Sequence, residues 1–126
     1  MESFTRAELD EALRPIASLI SKSEKAQQKL TPGTWQHTML RDNLKALRVA
    51  SALMGAGTGD PFTREELLEA LPALASMIGR SEKAQAMFSP GTSQHTLQRN
   101  RIRALRIASD LICNALEARD GCSADN

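Results

Sequence analysis

The chain has 126 residues, of which 41% are hydrophobic, only 3% aromatic and 25% charged, with a formal net charge of +1. That near-neutrality excludes a strong global field for nucleic acid or an anionic membrane, and the length suits a single domain able to bury roughly two-thirds of its unfolded surface. The apolar set is mainly Leu, Ala, Ile and Met, without tyrosine and with Trp35 as the one tryptophan, a composition of helices rather than strands.

The first helix is predicted to start at Thr5. Thr5 and Glu8 have the spacing of a capping box, and Phe4 can staple onto Leu9. At about 100° per residue, Leu9, Ala12, Leu13, Ile16, Leu19, Ile20, Ala26 and Leu30 share one arc, giving an amphipathic helix of six or seven turns. Pro15 interrupts it and predicts a kink; a full break near Ser21–Ser23 is the alternative. A turn follows at Thr31-Pro32-Gly33-Thr34. The second helix is capped by Thr31, with Pro32 in the first position, or by Thr34. Its core arc is Met39, Ala46, Leu47, Ala50, Leu53 and Met54. Gly55 to Pro61 then reads as a flexible connection.

The pattern then starts again. Residues 4–54 align with 62–112 without a gap, and more than half the positions are identical, which identifies an internal duplication. Thr63, Glu66, Phe62 and Leu67 repeat the first helix start, and Pro72 falls one position out of register with Pro15. Ser89-Pro90-Gly91-Thr92 repeats the turn. The core arc of the fourth helix is Leu97, Ala104, Leu105, Ala108, Leu111 and Ile112. That helix is expected to fade near Ala118. The whole chain, 1–126, is expected to be one domain: repeat one over 4–54, a linker over 55–61, repeat two over 62–112, and a helix end with a disordered tail over 113–126.

The fold expected is all-α, a pseudo-twofold four-helix up-down-up-down bundle of two tandem helical-hairpin repeats. A seven-residue link spans at most about 25 Å, less than the length of a helix of about 20 residues. The link therefore cannot run back along a helix, and both Pro-Gly turns should meet at one end.

Three surfaces could carry function. The first is a polar layer at the turn end. Ser23 and Gln27 fall within the apolar arc of the first helix and Gln36 at the edge of the second, with Ser81, Gln85 and Gln94 as their copies. Buried amides need partners, so these groups bond to one another and to free helix-end groups, or they line a small polar pocket for a small molecule or a protein partner. His37 and His95 stand beside them. Either could act as acid, base or ligand, but no Glu-x-x-His pattern accompanies them. A Ser23–His37 pairing lacks an orienting acid. Enzymatic use of these histidines is thus a minor alternative, and no cofactor or metal is expected.

The second surface is a basic stripe: Arg41, Lys45 and Arg48 following His37, and Arg99, Arg103 and Arg106 following His95. It should face solvent and pair with Glu8, Asp10, Glu11, Glu65, Glu66 and Glu69, or else bind phosphate or nucleic acid. The third is apolar. Leu44, Val49, Ile102 and Ile107 flank the stripe, so the even helices are apolar around much of their girth, which suggests a homodimer through the second and fourth helices. Trp35, replaced by Ser93 in copy two, is expected to cover the bundle end, or alternatively to anchor a partner. Cys113 reads as a packed thiol and Cys122 as an exposed one. Without a basic-then-apolar start or an apolar run of about 18 residues, and with two unpaired thiols, the protein is expected in the cytoplasm. The expected role is that of a small helical binding or interaction module.

Overall fold

The computed structural model describes residues 4–55 and 62–124; nearly all of the expected flexible connection lies outside them. These residues form four helices and no strand: α1 (Arg6–Gln28), α2 (Trp35–Met54), α3 (Arg64–Ala86) and α4 (Ser93–Ala124). Both odd helices begin as the sequence predicts. The Thr5 hydroxyl accepts from the Glu8 N–H at 3.1 Å while the Glu8 carboxylate accepts from the Thr5 N–H at 2.8 Å. Thr63 and Glu66 do the same at 3.1 and 2.8 Å. Thr5 N–H holds the Glu8 carboxyl below the usual carboxylate range, with the Thr5 hydroxyl and then the Arg103 charge adding to the effect.

α1 and α3 each run 23 residues with their proline inside. Pro15 and Pro72 thus remove one ladder hydrogen bond each without ending the helix, and no break occurs at Ser21–Ser23 or at Gly79–Ser81. α4 passes the expected end near Ala118 and continues to Ala124. Ala115 and Leu116, packed against the core, carry the helix beyond the repeat.

Neighbouring helices in the chain touch, α4 also packs on α1, and α2 meets α4, whereas α1 and α3 do not touch among the described residues. The even helices are therefore the inner pair. Leu44, Leu47, Val49, Ala50 and Met54 of α2 are buried, as are Ile102, Leu105, Ile107, Ala108 and Ile112 of α4. α1 fully buries only Ala12 and Ile16. The apolar breadth of the even helices is thus covered within the chain: Leu44, Val49, Ile102 and Ile107 are no more than 7% exposed. Fully burying one such aliphatic side chain contributes about 1.5–3 kcal/mol.

Four predicted core positions are not core: Leu30 and Met39 are half-buried and not packed against it. Ala26 is exposed and Leu97 is 42% exposed. All four lie near the Pro-Gly turns, where neighbouring helices cover less of the apolar face, whereas Met54 and Leu67 at the other ends of α2 and α3 are fully buried. Cys113 is exposed rather than packed, one position beyond the fully buried Ile112.

Candidate functional site

The turn end is built from local rules. In Thr31-Pro32-Gly33-Thr34 the Thr34 N–H bonds the Thr31 carbonyl at 3.3 Å, and Gly33 has φ of 94°. Pro then Gly with positive φ is the signature of a type II turn. Ser89-Pro90-Gly91-Thr92 repeats it, with Thr92 N–H to Ser89 carbonyl at 3.2 Å and Gly91 at φ 92°. Of the two candidate caps for α2, Thr34 is the one used. Its hydroxyl donates to the Thr31 carbonyl at 2.8 Å and accepts from the His37 N–H at 3.3 Å. Thr92 does the same with Ser89 and His95, at 2.8 and 3.2 Å.

Of the expected polar layer, the odd-helix members turn partly inward and the even-helix members do not. With α2 starting at Trp35, Gln36 lies in its first turn and is exposed, and Gln94 is exposed at the start of α4. Ser23, Gln27, His37, Ser81, Gln85 and His95 are half-buried. The Gln27 amide donates to the His37 carbonyl at 3.4 Å, a long bond between adjacent helices. Ser23 and His37 are not hydrogen-bonded to each other among the described residues, and no group of three or more His, Cys, Asp or Glu is placed to hold a metal ion there. Trp35 does not cover the end of the molecule; it is 69% exposed.

All six cations of the basic stripe face solvent, as the arc predicts, but the acids that meet them differ from those expected. Arg48 pairs with Glu24 at 2.7 Å and Arg106 with Glu82 at 2.5 Å. These acids lie in the second half of the odd helices, while Glu8 is engaged in its capping box. Arg41 reaches only its neighbour Asp42, at 3.6 Å.

Two long grooves lie beside the stripe. One, of about 1170 Å³, runs between α2 and α3. Its floor includes Ala46, Val49, Ala70 and Ala73, its net-basic α2 wall carries Arg41, Asp42, Lys45 and Arg48, and its α3 wall carries Glu66 and Glu69. Trp35, Thr38 and Gly33 extend it to the first turn. The other, of about 430 Å³, runs between α1 and α4. Every residue lining the smaller groove occupies the position that aligns, between the two copies, with a residue lining the larger.

Seven of those twelve aligned positions differ, and the three that change the groove most are Pro72, Asn43 and Lys45 of the larger groove, which stand opposite Arg14, Arg101 and Arg103 of the smaller. Longer side chains occupy the smaller groove. Arg101 was not among the candidate residues because its position, like that of its copy Asn43, lies off the arc of the stripe, toward the core. The signal available was that an arginine replaces an asparagine at a position on the buried side of the stripe. Its Nε and Nη2 are buried and have no hydrogen-bond partner, and burial pushes its pKa down from the usual arginine value.

No helix among the described residues is long and apolar enough to cross a membrane. Comparison of the chain with protein-family models, with curated proteins and with solved structures finds no match.

Proposed function

We propose that the chain is an up-down-up-down bundle of two tandem helical-hairpin repeats and works as a non-catalytic binding module. Its partner is an amphipathic helix of another protein, seated in the groove between α2 and α3. The observation that carries this reading is the groove's make-up: an apolar floor between a basic α2 wall and an acidic α3 wall. Two helices side by side leave a furrow that a third helix fills with its apolar stripe. Charge complementarity then fixes the partner's orientation. Acids beside its stripe face Arg41, Lys45 and Arg48, and bases on the other side face Glu66 and Glu69. Trp35, exposed at the groove mouth, supplies an aromatic anchor. The bundle topology is supported by Arg80, late in α3, donating to the Met39 sulfur, early in α2, at 3.4 Å. The exposed thiol of Cys113 suits a reducing cytoplasm.

The test uses a synthetic helix with a leucine stripe, glutamates along one side and lysines along the other, and a second helix with those charges exchanged. Trp35, the one tryptophan, reports binding by its emission. The matched helix should give a saturable blue shift, and Arg41→Glu with Lys45→Glu should move preference to the exchanged helix. Absence of a saturable change with either helix would refute the reading. A homodimer through α2 and α4 is the rival proposal. It would have to use the exposed stripe, since Leu44, Val49, Ile102 and Ile107 are already buried, and analytical ultracentrifugation decides it.

A second reading, phosphate or nucleic-acid binding, is favoured by the exposure of all six stripe cations and by the lack of an ion pair at Lys45 and Arg99 among the described residues. It requires binding to duplex that falls steeply with salt. No binding at low salt removes it.

A further inference from the structure

The groove between α1 and α4 contains an unmet electrostatic demand. Arg101 lines it, with Nε and Nη2 buried and unbonded. Those two nitrogens share one edge of the guanidinium, the edge that presents two parallel N–H groups, and the two oxygens of a carboxylate match it in spacing and plane. Polar atoms withdrawn from water normally have a partner, yet these two nitrogens of the half-buried Arg101 have none, and among the described residues no ion pair involves Arg101 or the exposed Arg14 and Arg103.

The groove holds these three guanidinium groups and two carboxylates, Glu8 and Glu11. The surplus is one positive charge, which suits a monoanion better than a dianion. Glu8 is engaged by Thr5 and feels the charge of Arg103, so Glu11 is the carboxylate of the groove left to compete for Arg101. Pro15 and the partly exposed Leu97 give the groove an apolar side.

We infer that this groove binds a small monocarboxylate, its two oxygens accepting from Nε–H and Nη2–H of Arg101 and its apolar tail lying against Pro15 and Leu97. Arg14 and Arg103 add attraction from the rim. The other groove lacks this site, because its position aligned with Arg101 is Asn43. An anion at the Arg101 edge would also oppose the burial that lowers the pKa of this guanidinium.

Two sources share this chemistry, a free short-chain acid and the carboxyl terminus of a peptide. Butyrate and a short apolar peptide with a free carboxyl terminus serve as probes, with butyramide and the peptide amide as controls, all at constant ionic strength. The Nε–H resonance of Arg101 is followed by NMR. At least one acid should shift it saturably while its amide does not. Arg101→Asn, which installs the residue of the other copy, should weaken binding at least tenfold. Arg101→Lys, which keeps the charge but loses the paired N–H edge, should weaken it severalfold and is used if the asparagine variant fails to fold by circular dichroism. Glu11→Gln should leave binding equal or tighter.

Saturation by butyrate assigns a free acid, and saturation by the peptide alone assigns a chain terminus. The inference is overturned if neither acid shifts the resonance, if amides bind as well as acids, or if binding survives both Arg101 variants. It is also overturned if Glu11→Gln moves the Arg101 resonance while the acids do not, since Glu11 is then its partner.

Discussion

Replacing glycine by alanine at three positions should change stability with opposite signs. Gly33 and Gly91 have φ of 94° and 92°, at the third position of their turns. Gly79 lies inside α3 with no positive φ. A Cβ at any of the three meets nothing within 4 Å, so sterics with neighbours drop out and only backbone conformation remains. An L-residue forced into left-handed space costs about 1–2 kcal/mol, whereas alanine for glycine inside a helix gains about 0.5–1 kcal/mol. An unfolding entropy of about 2.1 cal/mol/K per residue translates these into melting shifts. Gly33→Ala and Gly91→Ala should each lower Tm by about 4–8 °C, and Gly79→Ala should raise it by about 2–4 °C. Gly33→Asn should cost less than Gly33→Ala, because asparagine tolerates positive φ. Scanning calorimetry at one scan rate measures all four. Equal shifts of the same sign at Gly33 and Gly79 would refute the reasoning, since both positions have the same empty surroundings and differ only in φ.

Thr34→Ala and Thr92→Ala should each cost about 1 kcal/mol in urea unfolding, because each hydroxyl caps an even helix. Leu47→Ala and Leu105→Ala, both at 0% exposure, should each cost about 2–5 kcal/mol by the same assay. Arg48→Ala should change stability by no more than about 1 kcal/mol, because its pair with Glu24 is half-exposed on both sides. The Glu8 carboxyl is held low in the folded chain, so its stabilising effect is present above the unfolded glutamate pKa and is lost as pH falls through the folded one. The stability gap between the wild-type chain and Glu8→Gln should therefore be constant at neutral pH and close in acid, as measured by urea unfolding across that range.

The helix starts were legible because each depends on hydrogen bonds across three or four residues. Thr5 with Glu8, Thr63 with Glu66, and the paired turns at Pro32 and Pro90 needed no knowledge of the rest of the chain. The polar layer was legible only in part: Ser23, Gln27, Ser81 and Gln85 are half-buried, whereas Gln36 and Gln94 lie in the first turns of α2 and α4 and are exposed. The ion pairs were misread. The stripe was placed correctly, but which acids lie within reach depends on how the helices cross, and Glu24 and Glu82 rather than Glu8 and Glu66 meet Arg48 and Arg106.

The amino-acid order by itself determined the helical class, the turn chemistry and which arc of each helix is apolar, since these follow from spacings shorter than two helical turns. Only the tertiary structure decided how much of each arc is covered. It placed Leu44 and Ile102 inside, where the even helices meet, and left Trp35 and Leu97 outside. It also set the aligned positions Asn43 and Arg101 into the linings of two separate grooves. Burial depends on which other helices lie alongside, and residues distant in sequence decide that together.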